Sequence, residues 1–352
     1  MLLFLGVGLA TTGWSAFTTV DLLPGGVSIR TVLDGTVMRG ISSALALAPQ
    51  ARVAAKAERI ASWIVLGDLG PQVRQGCRGW LFLAEEFAVR SGAEEAVRQR
   101  VALAMRLRKA LDLQGIRLVM VLVPDKSRIE AQHLCHISRP ARLEQRTDTW
   151  ANRMREAGIP LVDLTPLLHE RARRGIQTFY RTDTHWNEEG ASVSAAAVAD
   201  AVQATGGPPM PRRCFEIART AARPRLGDLV RLAGIEELPA RLLPAAEVVS
   251  SSSSAPCADA KGGMSSADDL FGDSDLPTVA LVGTSFSTNS NFVGFLSRSL
   301  GTSVPSFALD GGNFSGSIDA YLQSTTFKES PPRLLIWEIP ERTLDLPLTP
   351  RP

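Results

Sequence analysis

The 352-residue chain is poor in the side chains that most often carry chemistry: four histidines, two tyrosines and four cysteines. No two cysteines stand in a C-x-x-C pair, so a structural zinc site of the usual spacing has no support. Charge of one sign is missing as well. The 38 basic and 36 acidic residues leave a formal net charge of +2, so no basic excess points to nucleic acid as a partner. Apolar residues are not scarce. At 45% hydrophobic and 21% charged, the composition lies outside the disordered class. The length suffices for one large domain or two ordinary ones.

The first twenty residues, MLLFLGVGLATTGWSAFTTV, contain no charged side chain. A helix of about 20 apolar residues spans the hydrocarbon core of a bilayer. A cleaved secretory signal normally opens on basic residues and ends on a small-residue site. Neither is present, so a signal anchor over residues 1–22 is expected, with a cleaved signal or a buried helix as alternatives. Residues 23–65 read as a loose stalk followed by an amphipathic helix. Export places the remainder in an oxidising space, where an even cysteine count is read as disulfides. Cys77, Cys135, Cys214 and Cys257 allow three pairings, and free buried thiols are the alternative.

Beyond residue 66 apolar runs alternate with helical periodicity. GCRGWLFLAEE is a turn leading into a buried strand. AEEAVRQRVALAMRLRKALDLQG is a helix with Gly115 as its stop. IRLVMVLVP follows without polar alternation, as in a parallel strand buried on both faces. WANRMREAG, TPLLHERARRG (with Thr165 as N-cap), NEEGASVSAAAVADAVQATGG and SNFVGFLSRSLG read as helices. IPLVDL, PTVALVG and RLLIWEI read as strands. This alternation predicts an α/β domain with a mainly parallel sheet over residues 66–352. A Ser-, Gly- and Asp-rich segment, residues 245–275, reads as a flexible insertion.

Two stretches carry candidate chemistry. In TVALVGTSFS a buried strand runs into Gly283, Thr284 and Ser285, at the strand end where α/β sheets bind ligands. Backbone N–H groups there can hold an oxyanion, although a plain serine N-cap looks the same. The second glycine of a G-x-S-x-G elbow is missing. In RTDTHWNEEG, Asp183 and His185 stand two apart, which in an extended loop projects both to one side. Such a pair orients a histidine toward a serine, and equally forms a surface turn that caps a helix through Asn187 or Thr184. Asn313, in LDGGNFSG, is a second oxyanion candidate. Lys126 and Arg128, in PDKSRIE, are candidates for holding a sugar hydroxyl or carboxylate. Glu338 and Arg342 have the spacing of a pocket-shaping ion pair. His133 and His136 flank Cys135 with metal-like spacing but lack further ligands, so no metal is expected.

RTDTHWNEEGA followed by LVGTSFS resembles the periplasmic alginate O-acetyltransferase family, SGNH-hydrolase-like enzymes that acetylate exopolysaccharides. GCRGWLFLAEE, VLVPDKSRIE and IWEIPERTLD resemble further segments of that family. The resemblance covers residues 76–343. It implies an SGNH-hydrolase-like three-layer sandwich in which Asp and His precede Ser, the reverse of ordinary SGNH esterases. It further implies Ser285 as nucleophile, His185 as general base and Asp183 as orienting carboxylate. No cofactor is implied. The implied acceptor is an exopolysaccharide, with acetyl groups delivered by a multi-pass membrane acyltransferase and other proteins of an exopolysaccharide complex as partners. Two features depart from the family pattern, the lack of a following carbohydrate-binding module and the scarcity of tyrosine. The alternatives are an acetylesterase using the same triad and a non-catalytic polysaccharide-binding subunit. The expected location is the periplasm, anchored to the inner membrane.

Overall fold

The uninterrupted apolar runs of the sequence become the centre of the molecule, since only a strand covered on both faces can bury every consecutive side chain. The computed structural model describes residues 27–208, 210–257 and 278–346, with a few isolated positions before residue 15. Its strands are β1 (Val73–Gln75), β2 (Leu81–Leu83), β3 (Arg117–Val123), β4 (Leu161–Asp163), β5 (Phe215–Arg219), β6 (Arg223–Arg225), β7 (Glu247–Val249), β8 (Ser252–Pro256), β9 (Val279–Val282) and β10 (Leu334–Pro340). The chain divides into two units. One holds Met1–Gly70 with Arg231–Leu243, the other Pro71–Val230 with Pro244–Pro352.

The larger unit is built on a four-stranded sheet of order β4-β3-β10-β9, parallel throughout. All of β10 and all of β3 except Arg117 are buried. Successive side chains point to opposite faces. Val119, Val121, Val123, Leu281 and Ile336 pack with helices Glu188–Ala204 and Phe292–Leu300. Leu118, Met120, Leu122, Leu335 and Trp337 pack with helices Ala93–Asp112, Arg146–Glu156 and Gly316–Gln323. The result is the expected three-layer α/β sandwich, and its strand ends bring Asp125, Gly283 and Glu338 toward one edge.

Antiparallel pairs decorate this frame: β1 with β2, β5 with β8 and β6 with β7. The last two were not anticipated. They place β7 and β8 inside the segment expected to be a flexible insertion, whose remainder from residue 258 to 275 lies outside the described residues. Serine-rich β8 escaped notice because a two-stranded edge needs no apolar alternation. Disulfides join Cys77 to Cys135 and Cys214 to Cys257, with Cα atoms 5.1 and 5.4 Å apart, which selects one of the three pairings.

The smaller unit contains helices Ile29–Leu33, Thr36–Leu47 and Pro49–Leu66, where a loose stalk was expected in part. Ser28 caps the first of these in a reciprocal capping box with Thr31. Trp63 Nε1 donates to the Leu242 carbonyl at 2.7 Å within the same unit. The expected anchor over 1–22 lies outside the described residues apart from isolated positions. Among the described residues no helix is long and apolar enough to cross a membrane.

One local expectation changes and one holds. Thr165 is not an N-cap but the first residue of its helix; Leu164 precedes it, and Asp163 Oδ1 accepts the Thr165 N–H at 2.9 Å. Gly115 stops its helix as expected: at φ 72° its N–H donates to the Asp112 carbonyl and the Ile116 N–H to the Leu111 carbonyl, each at 3.0 Å, a Schellman-type end.

Candidate active site

At the end of β9 the chain has no room for a side chain. A Cβ on Gly283 would press into the Glu338 carboxylate and the Ser287 hydroxyl. Glu338, buried on β10, holds this turn from below. Its Oε2 accepts the Thr284 N–H at 2.6 Å and the Ser287 hydroxyl at 2.9 Å, and its Oε1 accepts the Thr284 hydroxyl at 3.1 Å. Burial pushes the Glu338 carboxyl above its ordinary value, and the Thr284 and Ser287 bonds work against that rise. Thr284 caps the short helix Ser285–Thr288 by accepting from the Phe286 N–H, which leaves half-buried Ser285 at its first position.

The Asp-His loop is a tight excursion closed by an antiparallel bridge between Phe179 and Trp186. Trp186 is fully buried, its ring 5.2 Å from Phe286 and 4.9 Å from Phe292. This contact ties the loop to the helix that carries Ser285. Asn187 then caps helix Glu188–Ala204 by accepting the Gly190 N–H, as one of the two alternatives had it. The loop is not extended. Asp183 Oδ1 accepts the backbone N–H of His185 at 2.9 Å, an Asx-type turn that holds the carboxylate under the imidazole.

Three side chains from two elements, the Asp-His loop and the helix after β9, form one hydrogen-bonded line. His185 Nδ1 is 2.6 Å from Asp183 Oδ1, and His185 Nε2 is 2.7 Å from Ser285 Oγ. With Asp183 ionised, Nδ1 carries the proton and Nε2 is free to accept from the serine hydroxyl. Burial pushes the Asp183 carboxyl up, but the hydrogen bonds from His185 and the charges of His185 and Arg225 prevail and hold it well below its ordinary 3.8.

A second tier surrounds that line. Arg225 on β6 donates to Asp183 Oδ2 at 2.7 Å, with its guanidinium 4.1 Å from the centre of the Tyr180 ring. The Asp228 N–H donates to the same oxygen at 3.1 Å. Glu247 on β7 accepts the Thr182 N–H at 3.2 Å. Thus the unanticipated β6–β7 pair grips the Asp-His loop. Neither Arg225 nor Asp228 was singled out from sequence. The only local signal was Gly227, where a Cβ would run into the Thr182 carbonyl and the Asp183 side chain.

The other candidates scatter. Lys126 is fully buried and cannot meet a ligand. Its ammonium donates to the carbonyls of Leu81 (2.5 Å), Arg181 (2.9 Å) and Asp183 (2.9 Å), and burial pushes it down to about 8. It props the Asp-His loop instead. Arg128 is also buried, donating to both oxygens of Glu341 at 2.9 and 2.7 Å and to the Leu143 carbonyl. Glu338 and Arg342 do not form the expected ion pair. That spacing applies to a helix, whereas Glu338 is on a strand and spends its oxygens on Thr284 and Ser287. Arg342 lies over the Phe286 ring, 5.2 Å from its centroid. Asn313 is exposed in a left-handed turn (φ 49°), with no hydrogen bond to Ser285. Thr284 and Gly283 do adjoin Ser285, but the Thr284 N–H is taken by Glu338. A cleft of about 920 Å³ lined by Arg90, Arg142, Arg146 and neighbours contains none of the three aligned residues.

Donor atoms of Asp183, His185 and Asp228 lie within 4.8 Å of one another, close enough to raise the question of a cation. All four carboxylate oxygens already accept protein N–H or O–H groups. Arg225 supplies the positive charge, so these residues form a hydrogen-bond network and not a ligand set. His133 stacks on Trp80 with ring centroids 3.9 Å apart, and Cys135 is in a disulfide.

A family model described as an SGNH hydrolase-like domain, acetyltransferase AlgX, matches residues 73–341. A probable alginate O-acetylase AlgJ of Pseudomonas putida is 36% identical over 282 residues, covering 78% of this chain and 71% of that protein. Its counterpart from Azotobacter vinelandii is 34% identical over 287 residues, covering 81% and 72%. The solved O-acetyltransferase domain of Pseudomonas putida AlgJ has a TM-score of 0.69 at 31% identity, covering 80% of this chain and 95% of that one.

Proposed function

The chain belongs to the family of SGNH hydrolase-like AlgX acetyltransferase domains, and on that footing we propose that it moves acetyl groups onto hydroxyls of an alginate-like exopolysaccharide through an acetyl-Ser285 intermediate. The observation that carries the reading is the line Ser285–His185–Asp183, with contacts of 2.7 and 2.6 Å.

His185 Nε2 takes the Ser285 proton as Oγ attacks the acetyl carbonyl of the donor. Asp183 holds the Nδ1–H and stabilises the imidazolium. The oxyanion is received by the Ser285 backbone N–H, which has no acceptor among the described residues. The tetrahedral intermediate collapses, His185 protonates the departing group, and acetyl-serine remains. A sugar hydroxyl then gives its proton to the same Nε2 as its oxygen attacks the acetyl carbon. The second tetrahedral intermediate collapses, the bond to Ser285 Oγ breaks, and His185 returns the proton to that oxygen, leaving free serine and the acetylated sugar.

The wider assignment is part of the same proposal. Residues 1–22 anchor the protein to the inner membrane, residues 23–65 connect, and residues 66–352 act in the periplasm. A membrane acyltransferase delivers the acetyl group, and other exopolysaccharide proteins dock nearby. The two disulfides support an oxidising location, and the names of the AlgJ and AlgX relatives support the polymer class.

Ser285→Ala tests the core of this. Polymer-bound acetyl should fall to background in cells with protein levels unchanged, and purified variant should lose at least about a thousandfold in acetyl-ester turnover. Undiminished acetylation would sink the catalytic reading and favour a binding subunit. Acetate release by the native protein, with no acetylated sugar for any acceptor supplied, would move the assignment to an esterase.

A further inference from the structure

We propose that Asp228 is a second carboxylate serving His185, a positioning residue that acts through the Thr184 hydroxyl and keeps the imidazolium favourable during acetyl transfer. The inference rests on the triad reading above.

Thr184 sits between the two groups. Its N–H donates to Asp228 Oδ1 at 2.8 Å and its hydroxyl donates to Asp228 Oδ2 at 2.6 Å. With its proton spent on Asp228, Thr184 Oγ1 presents a lone pair to His185 Nδ1, 3.1 Å away. The Nδ1–H is therefore shared between Asp183 and Thr184, and Asp228 Oδ2 stands only 3.6 Å from the ring nitrogen. Both protons of this relay have a defined direction, which fixes the imidazole plane from two sides.

The charges explain the need for a second acid. Asp183 is the nearest anion, yet Arg225 is bonded to its Oδ2 at 2.7 Å and the Lys126 ammonium to its main-chain carbonyl at 2.9 Å. One carboxylate thus faces two cations before His185 takes a proton. Three further neighbours of the ring carry no charge, Ser285, the Phe286 ring at 5.1 Å and Tyr180, whose N–H donates to the His185 carbonyl, and the Arg342 guanidinium stands on Phe286, 5.2 Å from its centroid. Asp228, opening helix Asp228–Leu232, brings the count of anions to two. In this partly buried setting, with His185 9% and Asp228 19% exposed, a compensating charge at this distance bears on which protonation state is preferred.

The test is the pH dependence of kcat/KM for a chromogenic aryl acetate, measured for the native protein, Asp228→Asn, Thr184→Val, Asp228→Glu and Ser285→Ala. Asp228→Asn and Thr184→Val should each lower kcat about tenfold with KM little changed. In Asp228→Asn the acid limb should move to lower pH by about one unit, since a nearby anion no longer favours the imidazolium. Asp228→Glu should restore much of the position of that limb. A structural role alone would reduce activity without moving the limb. If Asp228→Asn does not fold, Thr184→Val decides by the drop in kcat and a partial movement of the same limb. Profiles superimposable on the native one in the folded variants overturn the proposal while leaving the triad intact, provided Ser285→Ala is dead. An active Ser285→Ala overturns both.

Discussion

Asp183 is the residue on which most of the site's electrostatics converge. Its depressed pKa makes it a source of stability that depends on pH with a definite sign. Because the folded value lies below the ordinary 3.8, the contribution is fully present above that pH and is lost as pH falls through the folded value. Denaturant titrations from pH 7 down to pH 2 should therefore show native stability declining on the acid side. Arg225→Gln should bring this decline to higher pH, because the guanidinium that helps hold the carboxylate ionised is gone. An unchanged acid profile in that variant would show that Arg225 does not govern Asp183. For activity, Asp183→Asn should cut kcat by about ten-thousandfold through the wrong imidazole tautomer. That Asp183, His185 and Ser285 come together was legible from sequence because few residue types can take the proposed roles of nucleophile, base and orienting acid, and histidine is scarce here. Asp228 and Arg225 were not, since an aspartate opening a short helix and an arginine on a short strand look like any solvated charge.

At the scale of elements, the misread residues are as informative as the correct ones. PDKSRIE sits at the carboxyl end of β3, where a lysine and an arginine were expected to reach solvent and a sugar. Instead helix Lys126–Ile129 is buried throughout, and both charges are used internally. Lys126 donates to three carbonyls from two segments, Leu81 on the β1–β2 hairpin and Arg181 and Asp183 in the Asp-His loop. Arg128 joins Arg139 and Arg146 around Glu341 at the end of β10. Lys126→Met should therefore destabilise the fold by about 3 kcal/mol, as expected when buried partners of a charge are left unpaired. It should also slow acetyl-ester turnover, because the Asp183 carbonyl loses its prop. Equilibrium urea unfolding and kcat measured side by side check this; a loss of stability with full activity would separate Lys126 from the site. The burial could not be inferred locally. It depends on the β1–β2 hairpin supplying the Leu81 carbonyl and on the Asp-His loop supplying two more.

Across the molecule, the two disulfides join parts that the parallel sheet alone does not hold. Cys77–Cys135 spans 58 residues and ties the β1–β2 hairpin to the loop after β3, while Cys214–Cys257 spans 43 and closes β5 against β8. Loop-closure entropy puts each at about 4 kcal/mol. Replacing Cys77 and Cys135 together by serine should lower Tm by several degrees or more. Reductant should lower the native Tm and leave little further effect in a variant lacking all four cysteines. A native Tm indifferent to reductant would show that neither bond constrains the unfolded chain.

The sequence by itself determined the sheet and the chemistry strung along it. Runs such as IRLVMVLVP and LLIWEIP admit only strands buried on both faces, and helices of 3.6-residue periodicity between them leave a parallel α/β sandwich as the economical arrangement. Motif order singled out Asp183, His185 and Ser285, which the fold aligns, because the roles proposed for them are tied to residue type. Tertiary structure decided everything that depends on which distant groups become neighbours. It chose one cysteine pairing of three, sent Lys126 inward to main-chain carbonyls, turned Glu338 toward Thr284 and Ser287 in place of Arg342, and brought Arg225 and Asp228 beside the Asp-His loop. Burial and hydrogen bonding across the chain set those outcomes, and neither has a period that a one-dimensional reading can detect.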